Sequence, residues 1–193
     1  MTPRPPRPVR ILGLGGTARP GSTTERALNL VLEAARDKGA QTELLGGDFL
    51  HALPHFQPGD APSPDQQRLL DAVARADGVV VASPGYHGSI SGVVKNALDT
   101  LELGRGAEGR LYFEGLPVGC VVTTHGWQAA GATLTALRSI IHALRGWPTP
   151  YGAALNGAVP LFDDQGACRE EKDAWQLATV AEQVMDFARM KAA

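Results

Sequence analysis

Thr17, Arg19, Ser22 and Thr24 gather three hydroxyls and a guanidinium into one short loop, within GGTARPGSTTERAL (residues 15–28). Such groups, together with the free N–H groups of a helix start, are suited to holding an anion. Two familiar motifs are half spelled here. Gly13, Gly15 and Ala18 match the dinucleotide fingerprint GxGxxA, but that motif needs a helix to begin at once, and Arg19, Pro20 and Gly21 intervene. Proline is tolerated only in the first turn of a helix, so the helix is expected to start near Ser22. Gly16 to Thr23 reads as a P-loop with Ser22 where the essential lysine belongs, which leaves a nucleoside triphosphate without its main neutralising partner. The remaining inventory suits a single phosphate monoester. A purely local role is open too, because Ser22 and Glu25 match the capping box SxxE. Capping leaves Thr17 and Arg19 unexplained.

Two further stretches carry groups of the same kind. ASPGYHGSISGVVKNALD (82–99) offers Gly85, Gly88 and Gly92 for close backbone approach and Tyr86 as a flat face with a polar tip. TTHGWQAAG (123–131) sets hydroxyls, a glycine, His125 and Trp127 in one short segment. Taken singly, each reads as an ordinary turn. Jointly, a phosphate cup beside loops that supply flat surfaces and backbone donors describes a site for FMN.

The elements that must bring these loops together alternate between strand-like and helix-like runs. VRILGLG (9–15) reads as a buried strand, and Ala27, Leu28, Val31, Leu32 and Ala35 then repeat at helical spacing until Gly39. QTELLG is a second strand; a Pro-, His- and Gly-rich loop over about 47–64 precedes a helix bearing Leu69, Leu70 and Val73. DGVVVAS is a continuous apolar run suited to the middle of a parallel sheet. A helix over about 91–103, the strand LPVGCVVTT, a helix striped by Leu134, Leu137, Ile141 and Leu144, a strand near 150–155 and a last helix complete five β-α units. The expected fold is α/β: a doubly wound parallel sheet with helices on both faces. Ligands of such sheets sit beyond the carboxyl ends of the strands, where strand order reverses. The three loops above follow the first, third and fourth strands.

Composition excludes several alternatives. A net charge of −2 gives no basic surface for nucleic acid. Cys120 and Cys168 supply neither a disulfide framework nor paired ligands, and with no CxxC or HExxH no metal site is expected. No apolar run approaches the roughly 20 residues that span a bilayer. MTPRPPRPV lacks the apolar core of a secretory signal and reads as a flexible tail over 1–8, ahead of one domain over 9–193. A cytoplasmic protein is expected.

These residues resemble the NADPH-dependent FMN reductase family of flavodoxin-like proteins. GTARPGSTT is similar to the family's phosphate loop, GSxRxxSxN, with Thr24 at the position of the last Asn. SPGYHGSISGVVKNALD is similar to TPEYNGSxPGxLKNAID, with Gly85 in place of Glu and His87 in place of Asn, and THGWQAAGATLTALR resembles the third flavin loop. The resemblance implies a flavodoxin-like fold with a five-stranded parallel sheet in the order 2-1-3-4-5. It also implies non-covalent FMN, NADPH or NADH as electron donor, a small-molecule electron acceptor, and a homodimer or homotetramer. It assigns the phosphate to Thr17, Arg19, Ser22 and Thr24, and the isoalloxazine edge to Pro84, Gly85, Tyr86 and His87, with Gly88 and Ser89 in the same stretch. Thr124, His125 and Gly126 fall at the pyrimidine side, where backbone N–H groups would donate. No catalytic side chain is required, since Ser83, Ser89 and His125 lie in no nucleophile motif such as GxSxG. Hydride transfer from NAD(P)H to FMN, and onward to free flavin, a quinone, an azo compound or a metal oxyanion, is the expected activity. A flavodoxin-type electron carrier is the alternative.

Overall fold

The computed structural model describes residues 7–106 and 109–192. Residues 1–6 of the expected tail lie outside the described residues. Arg7 is clamped: its guanidinium donates two 2.7 Å hydrogen bonds to the Asp77 carboxylate, which also accepts from the Arg10 amide at 2.9 Å.

The first β-α unit sets the pattern. Strand β1 (Arg10–Gly15) is buried along its length apart from Arg10, and helix α1 (Thr23–Asp37) buries Ala27, Leu28, Val31, Leu32 and Ala35. β2 (Gln41–Leu45) follows, then a short helix α2 (Gly47–Ala52) inside the stretch expected to be loop. Helix α3 (Pro64–Arg75) opens on a complete capping box between Ser63 and Gln66. Strand β3 (Gly78–Tyr86) runs three residues beyond the expected DGVVVAS and turns back through β4 (Ser89–Ile90) into α4 (Gly92–Thr100) and a 3-10 turn (Leu101–Gly104). β5 (Pro117–Thr124), α5 (Trp127–Ala143), β6 (Trp147–Pro148), β7 (Ala153–Asn156) and α6 (Glu171–Ala192) complete the order.

The parallel sheet runs β2-β1-β3-β5-β6, with β7 also paired to β5 and β4 antiparallel to β3. The expected 2-1-3-4-5 order is present, but the sheet has seven strands rather than five. The single strand expected near 150–155 is two pieces on the same side of β5: β6 beside Pro117 and Val118, β7 beside Val121 to Thr124. Chemistry accounts for the break. Pro150 has no N–H to give the ladder, and the Tyr151 amide turns away to donate to Gln183 Oε1 of α6 at 2.8 Å.

Side chains of the strands alternate between two cores, as the two-residue period requires. Leu12, Leu14, Val79, Val81, Val118, Cys120 and Val122 face α3, α4 and α5. Ile11, Val80, Ala82 and Val121 face α1 and α6. Bare glycines let helices settle close to the second face: a Cβ on Gly13 would come within 2.6 Å of Leu32, and one on Gly119 within 2.6 Å of Val180. Among the described residues no helix is long and apolar enough to cross a membrane.

Candidate functional site

A cleft of about 460 Å³ opens at the carboxyl ends of β1, β3 and β5. Of the expected residues it brings together Thr17, Arg19, Ser22, Thr24, Pro84, Gly85, Tyr86, Thr124 and His125. Thr23, Thr123 and Gly157 line it as well. His87, Gly88, Ser89 and Gly126 are not among the lining residues.

The floor is the start of α1. Ser22 is the N-cap in extended conformation, and its hydroxyl accepts the Glu25 amide at 3.3 Å. Only half of the capping box forms. Instead of returning to the Ser22 amide, the Glu25 carboxylate accepts from Gly21 N–H at 3.2 Å and from Gly47 N–H of α2 at 2.8 Å. It therefore ties the anion loop to its neighbour. Among the described residues, the amides of Thr23 and Thr24 make no hydrogen bond, and the exposed Arg19 guanidinium has no partner. Thr17 Oγ1 shapes the loop by accepting the Arg19 amide at 3.2 Å. Thr24 is buried and its hydroxyl lies 2.6 Å from that of Thr123. Such a pair uses one hydroxyl hydrogen and leaves the other for a ligand.

The second wall is a hairpin rather than a loop. Gly85 pairs with Ile90 and Tyr86 with Ser89, so His87 and Gly88 form the two-residue turn, with φ of 51° and 82°. Two left-handed residues in succession define the type I′ turn that suits strand twist. This explains why His87, Gly88 and Ser89 are exposed at the tip. Ser83 staples the base: its hydroxyl accepts Ser91 N–H at 3.0 Å and donates to the Pro84 carbonyl at 2.9 Å. A Cβ on Gly85 would meet Thr124 Cγ2 and Thr133 Oγ1, each at 2.5 Å. The glycine is required by packing against α5.

The third wall carries a residue that reading the sequence missed. Gly126 caps α5 at φ 121°, and its amide donates to Asn156 Oδ1 at 2.9 Å. Asn156 also accepts from Ala158 N–H at 3.1 Å, and Gly157 N–H donates to the Thr124 carbonyl at 2.8 Å. The Gly126 amide, expected as a donor to the ligand, is thus committed to protein. Asn156 ends β7, and the Asn-Gly pair there was the available signal. His125 stands exposed at the rim. Neither thiol enters the cleft; burial within β5 pushes Cys120 up to about 12, leaving it an inert core residue.

The donor set fits FMN. Two unpaired amides at the start of a 15-residue helix, hydroxyls and a free guanidinium are what a dianionic phosphate needs. The exposed Tyr86 ring supplies a flat face beside it.

A doubly wound sheet with its anion loop after the first strand and its cleft at the switch point defines a flavodoxin-like nucleotide-binding protein. The family model for NADPH-dependent FMN reductase matches residues 9–159, and the chain belongs to that family. It is an NAD(P)H:FMN oxidoreductase with FMN as cofactor. An FMN-dependent NADPH-azoreductase of Staphylococcus aureus (strain USA300) is 29% identical over 136 residues, 67% of this chain and 68% of the relative. Among solved structures, the flavoenzyme NAD(P)H:(acceptor) oxidoreductase FerB from Paracoccus denitrificans superposes with a TM-score of 0.78 at 21% identity, covering 94% of this chain and 98% of that one. A flavodoxin, WrbA-like protein from Agrobacterium tumefaciens gives 0.62 at 16% identity, over 94% and 98%.

Proposed function

We propose that the cleft holds FMN with its phosphate on the start of α1, through the Thr23 and Thr24 amides, the Thr17, Ser22 and Thr24 hydroxyls and the Arg19 guanidinium. Pro84, Gly85 and Tyr86 line the ring edge; His87, Gly88 and Ser89 hold that wall in shape as a hairpin turn. Thr124 and His125 face the pyrimidine side, and Gly126 acts through its bond to Asn156. The two-electron chemistry, taking hydride from NAD(P)H and delivering electrons to an acceptor, is supplied by FMN when bound. The chain's own residues align and shield the rings and favour negative charge where it develops. His125, at the rim, serves by position and charge rather than as an obligatory proton donor.

The acceptor is a small molecule: free flavin, a quinone, an azo compound or a metal oxyanion. Similarity to an FMN-dependent NADPH-azoreductase supports an azo compound among these. The protein works in the cytoplasm, the expectation from its sequence, and as a homodimer or homotetramer, which the family resemblance supports.

The observation that carries this reading is the convergence of unpaired donors on the cleft, with nothing among the described residues to satisfy them. Its test is a pair of titrations. Arg19→Ala weakens FMN binding by about 1.5–3 kcal/mol, the size of a hydrogen bond to a charged group. Riboflavin, which lacks the phosphate, is bound equally by both proteins. Equal losses for both ligands would make Arg19 structural and move the phosphate elsewhere.

A further inference from the structure

Beside the cofactor cleft lies a second pocket of about 510 Å³, built between α2 and α4. The two share a wall made of Thr17 and Tyr86. Leu50, Leu53 and Val93 give the second pocket an apolar floor, and Tyr86, 53% exposed, offers its ring as one side. The exposed imidazoles of His51 and His55 stand at its edge, and among the described residues none that lines it carries a carboxylate.

The far side of this pocket is built. Asn96 of α4 accepts the Phe56 amide at 2.9 Å and donates to the Pro54 carbonyl at 3.0 Å, so the segment bearing His55 is tied to α4. The Gln66 side chain reaches the same carbonyl at 3.4 Å. At the other end, Glu25 binds the first amide of α2, the helix that ends near His51. Both imidazoles therefore stand on segments fixed to the cofactor site or to α4. Apolar walls select a flat ring, and imidazole N–H donors without competing carboxylates select negative charge.

We propose that this second pocket binds the electron acceptor and selects planar aromatic or quinoid compounds bearing a sulfonate or carboxylate, which His51 and His55 recognise. The assignment of that ligand as the acceptor rests on the flavin-reductase reading. For a quinoid acceptor the balance is simple: NAD(P)H yields hydride, solvent yields a proton, and the acceptor leaves as hydroquinone beside oxidised NAD(P). The wall common to both pockets sets the acceptor's ring next to the cofactor cleft.

Binding is measured calorimetrically on the FMN-loaded protein with naphthalene sulfonate and, as the uncharged comparison, naphthol. No turnover is involved, so the result stands even if NAD(P)H oxidation fails. The sulfonate binds at least about tenfold more tightly than naphthol, and the double variant His51→Ala with His55→Ala removes that preference while leaving naphthol unchanged. His55→Glu, at an exposed position, reverses the preference. Steady-state kinetics then separates the sources of negative charge: the double variant raises KM for a sulfonated naphthoquinone about tenfold and leaves KM for NADPH and for the unsubstituted quinone as they were. Three results would overturn the proposal. One is displacement of naphthalene sulfonate by excess FMN, which would make the pocket part of the cofactor cleft. Another is a raised KM for NADPH, which would give the imidazoles to the donor's phosphates. The third is equal binding of sulfonate and naphthol.

Discussion

Gly85 and Thr133 account for each other. The family resemblance leads one to expect Glu at position 85, yet a Cβ there would collide with Thr124 and with Thr133 Oγ1. That hydroxyl is fully buried and, alone among the buried side-chain polar atoms of the described residues, has no hydrogen-bond partner. An orphaned hydroxyl costs about 1–3 kcal/mol, so Thr133→Val, which keeps the shape, raises the unfolding free energy by about 1 kcal/mol in urea titrations. A loss of that size would mean the hydroxyl has an unseen partner. His87 has an equally local reason. Its left-handed backbone is one that Asn adopts readily, and Asn is the residue the family pattern places there. That Thr17, Arg19 and Ser22 share one loop was legible from type and spacing because they lie within six residues of one another, and that loop lines the cleft. Thr123 and Asn156 were not, because their partners lie far along the chain: the Thr24–Thr123 bond spans 99 residues and the Gly126–Asn156 bond spans 30. No short window contains both halves of such a contact.

At the scale of elements, the anion loop depends on α2, which composition had read as loop. Six residues with no apolar stripe of their own leave little helical period to detect. Its close seat on the loop is visible only in space: a Cβ on Gly47 would lie 1.7 Å from the Thr17 carbonyl oxygen. Glu25 holds that seat through the Gly47 and Gly21 amides. Glu25→Ala strands both donors and loosens the loop that carries Thr17 and Arg19. FMN affinity is expected to fall about tenfold, near 1.4 kcal/mol, with riboflavin affected far less. Unchanged FMN affinity, by fluorescence titration, would show that the loop holds its shape without the carboxylate. The long strands and helices, by contrast, were readable. β1, β3 and β5 are continuous apolar runs, and α1 repeats its buried residues at helical spacing. The split of the last strand was not readable, since it turns on where Gln183 reaches Tyr151.

For the whole molecule, alternating strands and helices with right-handed crossovers made the doubly wound parallel sheet legible, while the strand order came from the family resemblance rather than from the elements themselves. The start of the described chain is fixed to this sheet by Arg7 on Asp77, and that contact has a pH signature. Burial pushes the Asp77 carboxyl up, but the hydrogen bonds from Arg7 and the Arg10 amide and the nearby Arg7 and Arg110 charges outweigh it and hold the group below the ordinary carboxylate range. A depressed folded pKa contributes stability above the unfolded value, about 3.9, and that contribution is lost as the pH falls through the folded value. Arg7 is 62% exposed, so screening limits the pair to about 1 kcal/mol. Asp77→Asn therefore lowers stability by about that amount near neutral pH, and the difference from wild type vanishes in strong acid. A difference that persists in acid would trace to packing rather than charge.

If one cleft holds FMN and passes it the electrons of NAD(P)H with no side chain acting as an obligatory acid, flavin reduction survives the loss of His125. Anaerobic stopped-flow mixing of the FMN-loaded protein with NADPH, in wild type and in His125→Ala, tests it directly. The yellow flavin absorbance bleaches in both, with the variant slower by no more than about tenfold, some 1.4 kcal/mol. A general acid contributes about 10² to 10⁴-fold. Bound flavin that NADPH and NADH both leave oxidised, or a thousandfold loss in His125→Ala with FMN still bound, would contradict it.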